Sequence, residues 1–199
     1  SLDVRFVDFQ QPAALDAALA GRPALVWVET PSNPLLRIVD IASVAAAAHA
    51  VGALVVADNT FLSPVWQQPI ALGADAVVHS TTKYLNGHSD VVGGAVIAAR
   101  ADLHERLAWW ANCVGVTGAP FDSYLTLRGL RTLHARMRAH GENTLQIVEL
   151  LSRHPAVRHV YYPGLESHPG YKIARSQQSG FGAMVSFELQ GTVKHVKSL

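Results

Sequence analysis

A single thiol, Cys113, stands among 199 residues, so no disulfide can form within the chain and its core must hold by packing. Net charge is as scarce: sixteen basic residues face fifteen acidic ones. Without a block of like sign there is no electrostatic footprint for nucleic acid or an anionic membrane surface, and the partners are expected to be small. No apolar run approaches the roughly 18 residues of a membrane span, which makes the cytoplasm the default setting. The opening Ser1-Leu2-Asp3-Val4-Arg5 is neither a signal peptide nor a methionine start, so a piece of a longer chain is expected. Several chemistries lack their motif. There is no G-x-x-x-x-G-K-[ST] loop and no G-x-S-x-G elbow, and Gly180-Phe181-Gly182-Ala183 lacks the third glycine of a dinucleotide loop. His79, His88 and Asp90 fit no helical metal-ligand spacing. Cys113, in an apolar neighbourhood, is expected to be packed and inert.

What is present is an alternation of short apolar runs and helical patterns. Hydrophobic residues make up 49% of the chain, enough for one α/β domain or one and a part. Residues 12 to 20 read as an amphipathic helix, 24 to 28 as a strand, 40 to 51 as an alanine-rich helix, and 53 to 57, 76 to 79 and 95 to 99 as further strands. Ala101 to Asn112 reads as a helix carrying Trp109 and Trp110, ordinarily core or interface anchors. Phe121 to Arg153 is helical, with breaks expected at Gly129 and Gly141. Beyond it come a strand at 157 to 161, a helix near 171 to 178, an alternating strand at 183 to 189 and a helix-like pattern opening at 194 to 199. Residues 1 to 128 are therefore read as part of a large domain, and 129 to 199 as a linking helix and the start of a smaller C-terminal α/β domain.

Three of these strands run into polar clusters. Val28 leads to Glu29-Thr30-Pro31-Ser32-Asn33-Pro34, Ala57 leads to Asp58-Asn59-Thr60, and Ala76-Val77-Val78-His79 leads to Ser80-Thr81-Thr82-Lys83. In a parallel sheet these carboxyl ends share one edge, where ligands bind in open α/β folds. Pyridoxal phosphate calls for such a set: an amine for its aldehyde, a carboxylate for its ring nitrogen, and hydroxyl or amide donors for its oxygens. Each residue alone has a plainer reading. A loop lysine is ordinarily solvated, Asp-Asn-Thr is ordinary turn chemistry, and Asn33 is open between turn residue and ligand.

Four segments in order carry a resemblance: Glu29 to Pro34, Val56-Ala57-Asp58-Asn59-Thr60-Phe61, Ser80 to Asp90, and Pro120-Phe121-Asp122-Ser123-Tyr124. Together they resemble the trans-sulfuration family of pyridoxal-phosphate enzymes over essentially the whole chain. Leu35 to Ile41 and Leu107 to Asn112 are most similar to its bacterial cystathionine γ-synthase branch. The resemblance implies the fold-type I, aminotransferase-like architecture, a mainly parallel sheet with helices on both faces. It implies Lys83 as the Schiff-base lysine, Asp58 at the pyridine nitrogen, Ser80 and Thr82 at the phosphate, and Asn33 near the phenolic oxygen and the substrate. It implies γ-replacement, in which O-succinyl-L-homoserine and L-cysteine give cystathionine and succinate, in a homotetramer built as a dimer of active dimers.

The same resemblance sets the glycine-rich phosphate loop, a ring-stacking tyrosine and the tyrosine and arginine lent by a neighbouring subunit ahead of Ser1. The arginine that grips the substrate carboxylate falls beyond Leu199. Elimination of the cystathionine γ-lyase or methionine γ-lyase kind stands as the alternative reaction. An inactive assembly fragment and a metal-assisted hydrolase stand as alternatives of other classes.

Overall fold

A computed structural model describes residues 2–196. Helix α1 (Pro12–Leu19) leads into strand β1 (Leu25–Glu29). Helix α2 (Ile41–Ala50) begins where the Asp40 carboxylate accepts a hydrogen bond from the Ser43 amide at 2.9 Å, a side-chain N-cap. Strand β2 (Leu54–Asp58) follows, then the one-turn helix α3 (Ser63–Trp66), a 3-10 turn at Pro69–Leu72, and strand β3 (Ala76–Ser80). A wide turn, Thr81–Leu85, separates β3 from strand β4 (Gly94–Ala98).

These strands form one sheet in the order β1-β2-β3-β4, the first three parallel and β4 antiparallel to β3. The register sets Glu29 beside Asp58, Asp58 beside Val78, and Ser80 beside Gly94. One face carries Val26, Val28, Val55 and Ala57 and packs on Ile41, Val44, Ala45 and Ala48 of α2. The other face carries Trp27, Val56, Asp58, Val78, Ser80 and Val96 and lies open, with Trp27 52% and Val96 54% exposed.

Helices α4 (Ala101–Val114), α5 (Pro120–Leu130) and α6 (Leu133–Arg153) follow. The expected break near Gly129 is real, but Gly141 lies inside α6. There the missing side chain admits Trp66, whose ring a β-carbon would meet at 3.2 Å. Helix α4 buries no residue, and Trp109 and Trp110 form an exposed edge-to-face pair with centroids 4.8 Å apart. Cys113 is exposed as well, which corrects the expectation of a packed thiol. Its apolar neighbours on α4 face outward, so local apolarity gave no burial.

Strand β5 (Val157–Tyr161) pairs antiparallel with β6 (Ser186–Leu189) in a separate two-stranded sheet. Strand β6 is shorter than the alternation of 183 to 189 predicts. Helix α7 (Tyr171–Gln177) lies between them, and α8 (Val193–Val196) takes up the beginning of the helix-like pattern. The remainder of that pattern, 197 to 199, lies outside the described residues. No helix among the described residues is long and apolar enough to cross a membrane.

At the amino-terminal edge of the sheet Asp75 binds three partners. Its Oδ2 accepts from the Val55 amide at 2.8 Å and lies 2.9 Å from His49 Nε2, while Oδ1 accepts from Arg100 at 3.2 Å. Burial pushes this carboxyl up, but the hydrogen bonds from His49 and Val55 and the charges of His49 and Arg100 outweigh it and hold Asp75 below the ordinary range. A carboxyl lowered on folding stabilises above its unfolded value, near 4, and that contribution is lost as pH falls through the lower folded value. Asp75→Asn is expected to cost about 1–3 kcal/mol at pH 7 and to flatten the fall in stability below pH 4. Urea unfolding of both chains at pH 7 and pH 3 checks this, and equal acid slopes would contradict it.

Candidate active site

The parallel register brings the three polar strand ends to one edge. The Asp58 side chain is half-buried on the open face, and its Oδ1 accepts from the Thr60 amide at 2.9 Å. Ser80 lies on the same face two residues beyond Val78, the partner of Asp58. Its amide donates to Thr60 Oγ1 at 2.8 Å, so β3 is tied to the turn that follows β2. Asn33 is exposed in the turn after β1, and its amide donates to Glu29 Oε1 at 3.2 Å.

Lys83 is exposed and lies within the wide turn, not on the strand itself. This turn closes with an i-to-i+5 bond from the Asn86 amide to the Thr81 carbonyl at 3.0 Å, and the Gly87 amide donates to the Lys83 carbonyl at 2.8 Å. Lys83 itself departs from helical backbone, with φ −90° and ψ −125°. No carboxylate pairs with its ammonium among the described residues. Thr82 faces the start of β4: its Oγ1 accepts from the Gly93 amide at 3.0 Å and donates to the Gly93 carbonyl at 3.3 Å.

The structure thus brings Asp58, Ser80, Thr82, Lys83 and Asn33 to one edge of the sheet, with Asp58 and Ser80 on one face. As a set they suit pyridoxal phosphate: an amine without an ion pair among the described residues, a carboxylate with one oxygen engaged, the Ser80 hydroxyl, the Thr82 hydroxyl, which here donates its proton to the Gly93 carbonyl, and an amide. His79 points the opposite way, into the covered face. Burial pulls its imidazole below the ordinary value, partly countered by the charge of Asp58, and its buried Nδ1 has no partner among the described residues.

Beneath this edge runs a buried amide network that local sequence patterns do not reveal. The Gln67 side chain donates to the Thr30 carbonyl at 3.1 Å and to Asn59 Oδ1 at 3.0 Å. Its own oxygen accepts from Gln177 at 3.0 Å and Gln178 at 3.1 Å. Asn59 in turn donates to the carbonyls of Ser63 and Gln67, and Gln177 donates to the Val39 carbonyl. The ends of β1 and β2, helix α3 and helix α7 are thereby held as one body. Among these partners the only advance signal is the buried setting of Asn59 after an apolar strand.

The whole chain, residues 1–199, matches the family model described as Cys/Met metabolism PLP-dependent enzyme. It is 60% identical over 188 residues to the cystathionine gamma-synthase of Escherichia coli (strain K12), covering 94% of this chain and 49% of that protein. The crystal structure of cystathionine gamma synthase from Xanthomonas oryzae pv. oryzae in complex with aminoacrylate and cysteine matches with a TM-score of 0.95 at 60% identity, over 96% of this chain and 50% of that one. That of cystathionine gamma-lyase from Lactobacillus plantarum complexed with L-serine matches with a TM-score of 0.91 at 46% identity, over 94% of this chain and 49% of that one. The chain spans about half the length of the curated relatives it matches. These neighbours identify the architecture as the fold-type I arrangement of pyridoxal-phosphate enzymes.

Replacing Gln67 by Leu removes the partners of the buried Thr30 carbonyl and Asn59 Oδ1 and of the Gln178 amide, while Gln177 keeps its bond to the Val39 carbonyl. The expected loss is on the order of 3 kcal/mol. Chemical denaturation measures it, and a loss below about 1 kcal/mol, the net value of one ordinary hydrogen bond, would mean that the network does not hold this edge.

Proposed function

Because the chain belongs to the Cys/Met metabolism PLP-dependent enzyme family, we propose that it contributes the covalent and electronic part of a γ-replacement site that joins an O-acylated homoserine to L-cysteine. In the overall reaction the Cγ–O bond of O-succinyl-L-homoserine breaks, succinate leaves, and the cysteine sulfur forms the Cγ–S bond of cystathionine while its proton is released. The observation that carries this reading is the exposed Lys83, without an ion-pair partner among the described residues, on its wide turn at the same sheet edge as Asp58. The 60% identity to two cystathionine γ-synthases supports the branch.

When bound, pyridoxal phosphate supplies an aldehyde that condenses with amines and a cationic ring that takes up electrons. In this reading Lys83 would hold it covalently, the Asp58 carboxylate would pair with the ring nitrogen, the Ser80 and Thr82 hydroxyls would bind the phosphate, and Asn33 would serve the phenolic oxygen and the substrate. The Lys83 amine, when free, would move protons at Cα and Cβ of the substrate. The Thr60 amide fixes Asp58 Oδ1 and so limits rotation of the carboxylate. Residues 1 to 128 serve as part of the cofactor-binding domain, and 129 to 199 as the linking helix and start of the smaller domain.

A homo-oligomer in the cytoplasm is part of the same proposal. Exposed Trp109, Trp110, Phe121 and Leu127 on α4 and α5 support it, as an apolar surface of the kind that interfaces bury. The match to a cystathionine γ-lyase at 46% identity favours γ-elimination as the second reading. Product analysis separates the two: cystathionine from O-succinylhomoserine and cysteine supports replacement, and a keto acid without cysteine uptake supports elimination.

Lys83→Ala, in the protein expressed from its complete reading frame, is expected to lower turnover at least about 100-fold with thermal unfolding unchanged, since Lys83 fills no core volume. Borohydride reduction is expected to fix the cofactor to Lys83 in the unaltered protein. Asp58→Asn should retain the cofactor and lose most activity, because an amide cannot keep the ring nitrogen protonated. Undiminished rates in either variant would remove the corresponding role.

A further inference from the structure

Arg136, at the end of the first turn of α6, is a cation without a carboxylate partner among the described residues. Its neighbours on the same helix differ: Arg138 pairs with Glu142 and Arg153 with Glu149. The Arg136 guanidinium reaches instead to backbone carbonyls, donating through Nη1 to Tyr84 at 2.8 Å and through Nη2 to Gly129 at 2.8 Å and, more distantly, to Leu85 at 3.5 Å. Its Nε donates to Thr132 Oγ1 at 3.2 Å. Burial pulls it below its ordinary value, so this cation is held half out of water for the sake of carbonyl oxygens.

Two of those oxygens, on Tyr84 and Leu85, belong to the turn that carries Lys83, and the third, on Gly129, lies near the end of α5. Because Lys83 departs from helical backbone, the ladder of helical hydrogen bonds is not continued through the turn, and the carbonyls of Tyr84 and Leu85 need other donors. A planar guanidinium with several fixed donors can serve both of them and Gly129 at once. The surroundings are shaped for it. A β-carbon on Gly87, at φ +75°, would lie 2.1 Å from Arg136 Nη1, and one on Gly129 would lie 2.2 Å from the Asn86 carbonyl oxygen. Tyr84 packs its ring on His140, one helical turn beyond Arg136, with centroids 5.6 Å apart. Burial there pushes its hydroxyl up to about 12.

We propose that Arg136 is a positioning residue, a clamp from α6 that fixes the Lys83 turn in the geometry in which its amine meets the cofactor aldehyde. This rests on Lys83 being the cofactor amine. The guanidinium acts through the backbone that follows Lys83 and ties it to the end of α5.

The test compares Arg136→Met, Arg136→Lys and Met137→Ala with the unaltered protein, each expressed from its complete reading frame. Met137 is fully buried on the same helix, so its truncation destabilises α6 while the Arg136 guanidinium and its donors remain. In apo protein, Arg136→Met should speed amide exchange at residues 84 to 88 by roughly tenfold with β1 to β3 unchanged. It should slow the growth of the visible band on adding pyridoxal phosphate at least about tenfold, and lower kcat by a similar factor with KM little changed. Arg136→Lys, which offers a point charge and no planar fork, should recover part of each loss, and Met137→Ala should lower thermal stability without slowing cofactor capture. Gly87→Ala should mimic Arg136→Met, and the double variant should lose little more than either. Equal capture rates in Arg136→Met and the unaltered protein, with Lys83 labelled by borohydride in both, would overturn the clamp alone. Equal slowing in Arg136→Met and Met137→Ala would overturn it too. Failure to label Lys83 in the unaltered protein would overturn the reading of the site and the clamp with it.

Discussion

The in-register parallel pairing of β1, β2 and β3 is the constraint on which the rest depends. Glu29, Asp58 and Val78 lie side by side across three strands, so residues distant in sequence arrive at one edge with no contact between their side chains required. The same pairing ends there, and the backbone beyond it must find partners that the sheet no longer provides. The buried amides of Asn59 and Gln67 supply them on the covered side. Thr60 and Gly93 engage the Ser80 amide and the Thr82 hydroxyl on the way to β4, and Arg136 does the same work around Lys83. The candidate site is therefore the upper rim of a hydrogen-bonded layer, and its rigidity comes from groups that take no part in the chemistry.

This layer also joins the two sheets. Gln177 and Gln178 lie beyond α6, yet both donate to Gln67, and the Ser179 amide bonds the Trp66 carbonyl at 2.9 Å. Gly180 comes so close to the Trp66 ring that a β-carbon would lie 2.6 Å away. The bonds of α7 thus reach the turns after β1 and β2, one of which carries Asn33 while the other follows Asp58. Whatever moves the smaller sheet acts on the site through amide hydrogen bonds and one indole ring.

Much of this was legible beforehand, for identifiable reasons. Strands β1 to β3 announce themselves because buried parallel strands need unbroken apolar runs, and their polar ends stand out against those runs. The resemblance then gave roles to Lys83 and Asp58 that turn chemistry alone leaves open. What local patterns could not give is contact across long separations. Gln67 meets Gln177 over 110 positions, and α3 is four residues long, too short for a periodic signal. Cys113 and the two tryptophans show the converse: an apolar helix face says that cover is wanted, not that it is present. Gly141 shows that a glycine within a helical pattern can mark a neighbour's ring, here Trp66, as well as a helix end. Arg136 did leave a trace. With threonine, leucine, alanine and histidine at three and four positions to either side, it has no helical acid to pair with, and an arginine so placed must seek its acceptors elsewhere.

The two faces of the larger sheet divide the remaining requirements. The face toward α2 is closed by aliphatic contacts and fixes the strands. The face bearing Asp58 and Ser80 also bears Trp27, Val56, Val78 and Val96, an apolar surface that a parallel sheet ordinarily buries. Whatever covers that surface removes water from Asp58 and Ser80 in the same step. Loss of water strengthens the interaction of a carboxylate with a cationic ring, since the effective dielectric constant falls. It also raises the cost of leaving either group without its partner. Covering the sheet and filling the site are therefore coupled on this face. In the proposed site that cation is the cofactor ring, so burial of Trp27 and the valines and binding at Asp58 favour one another.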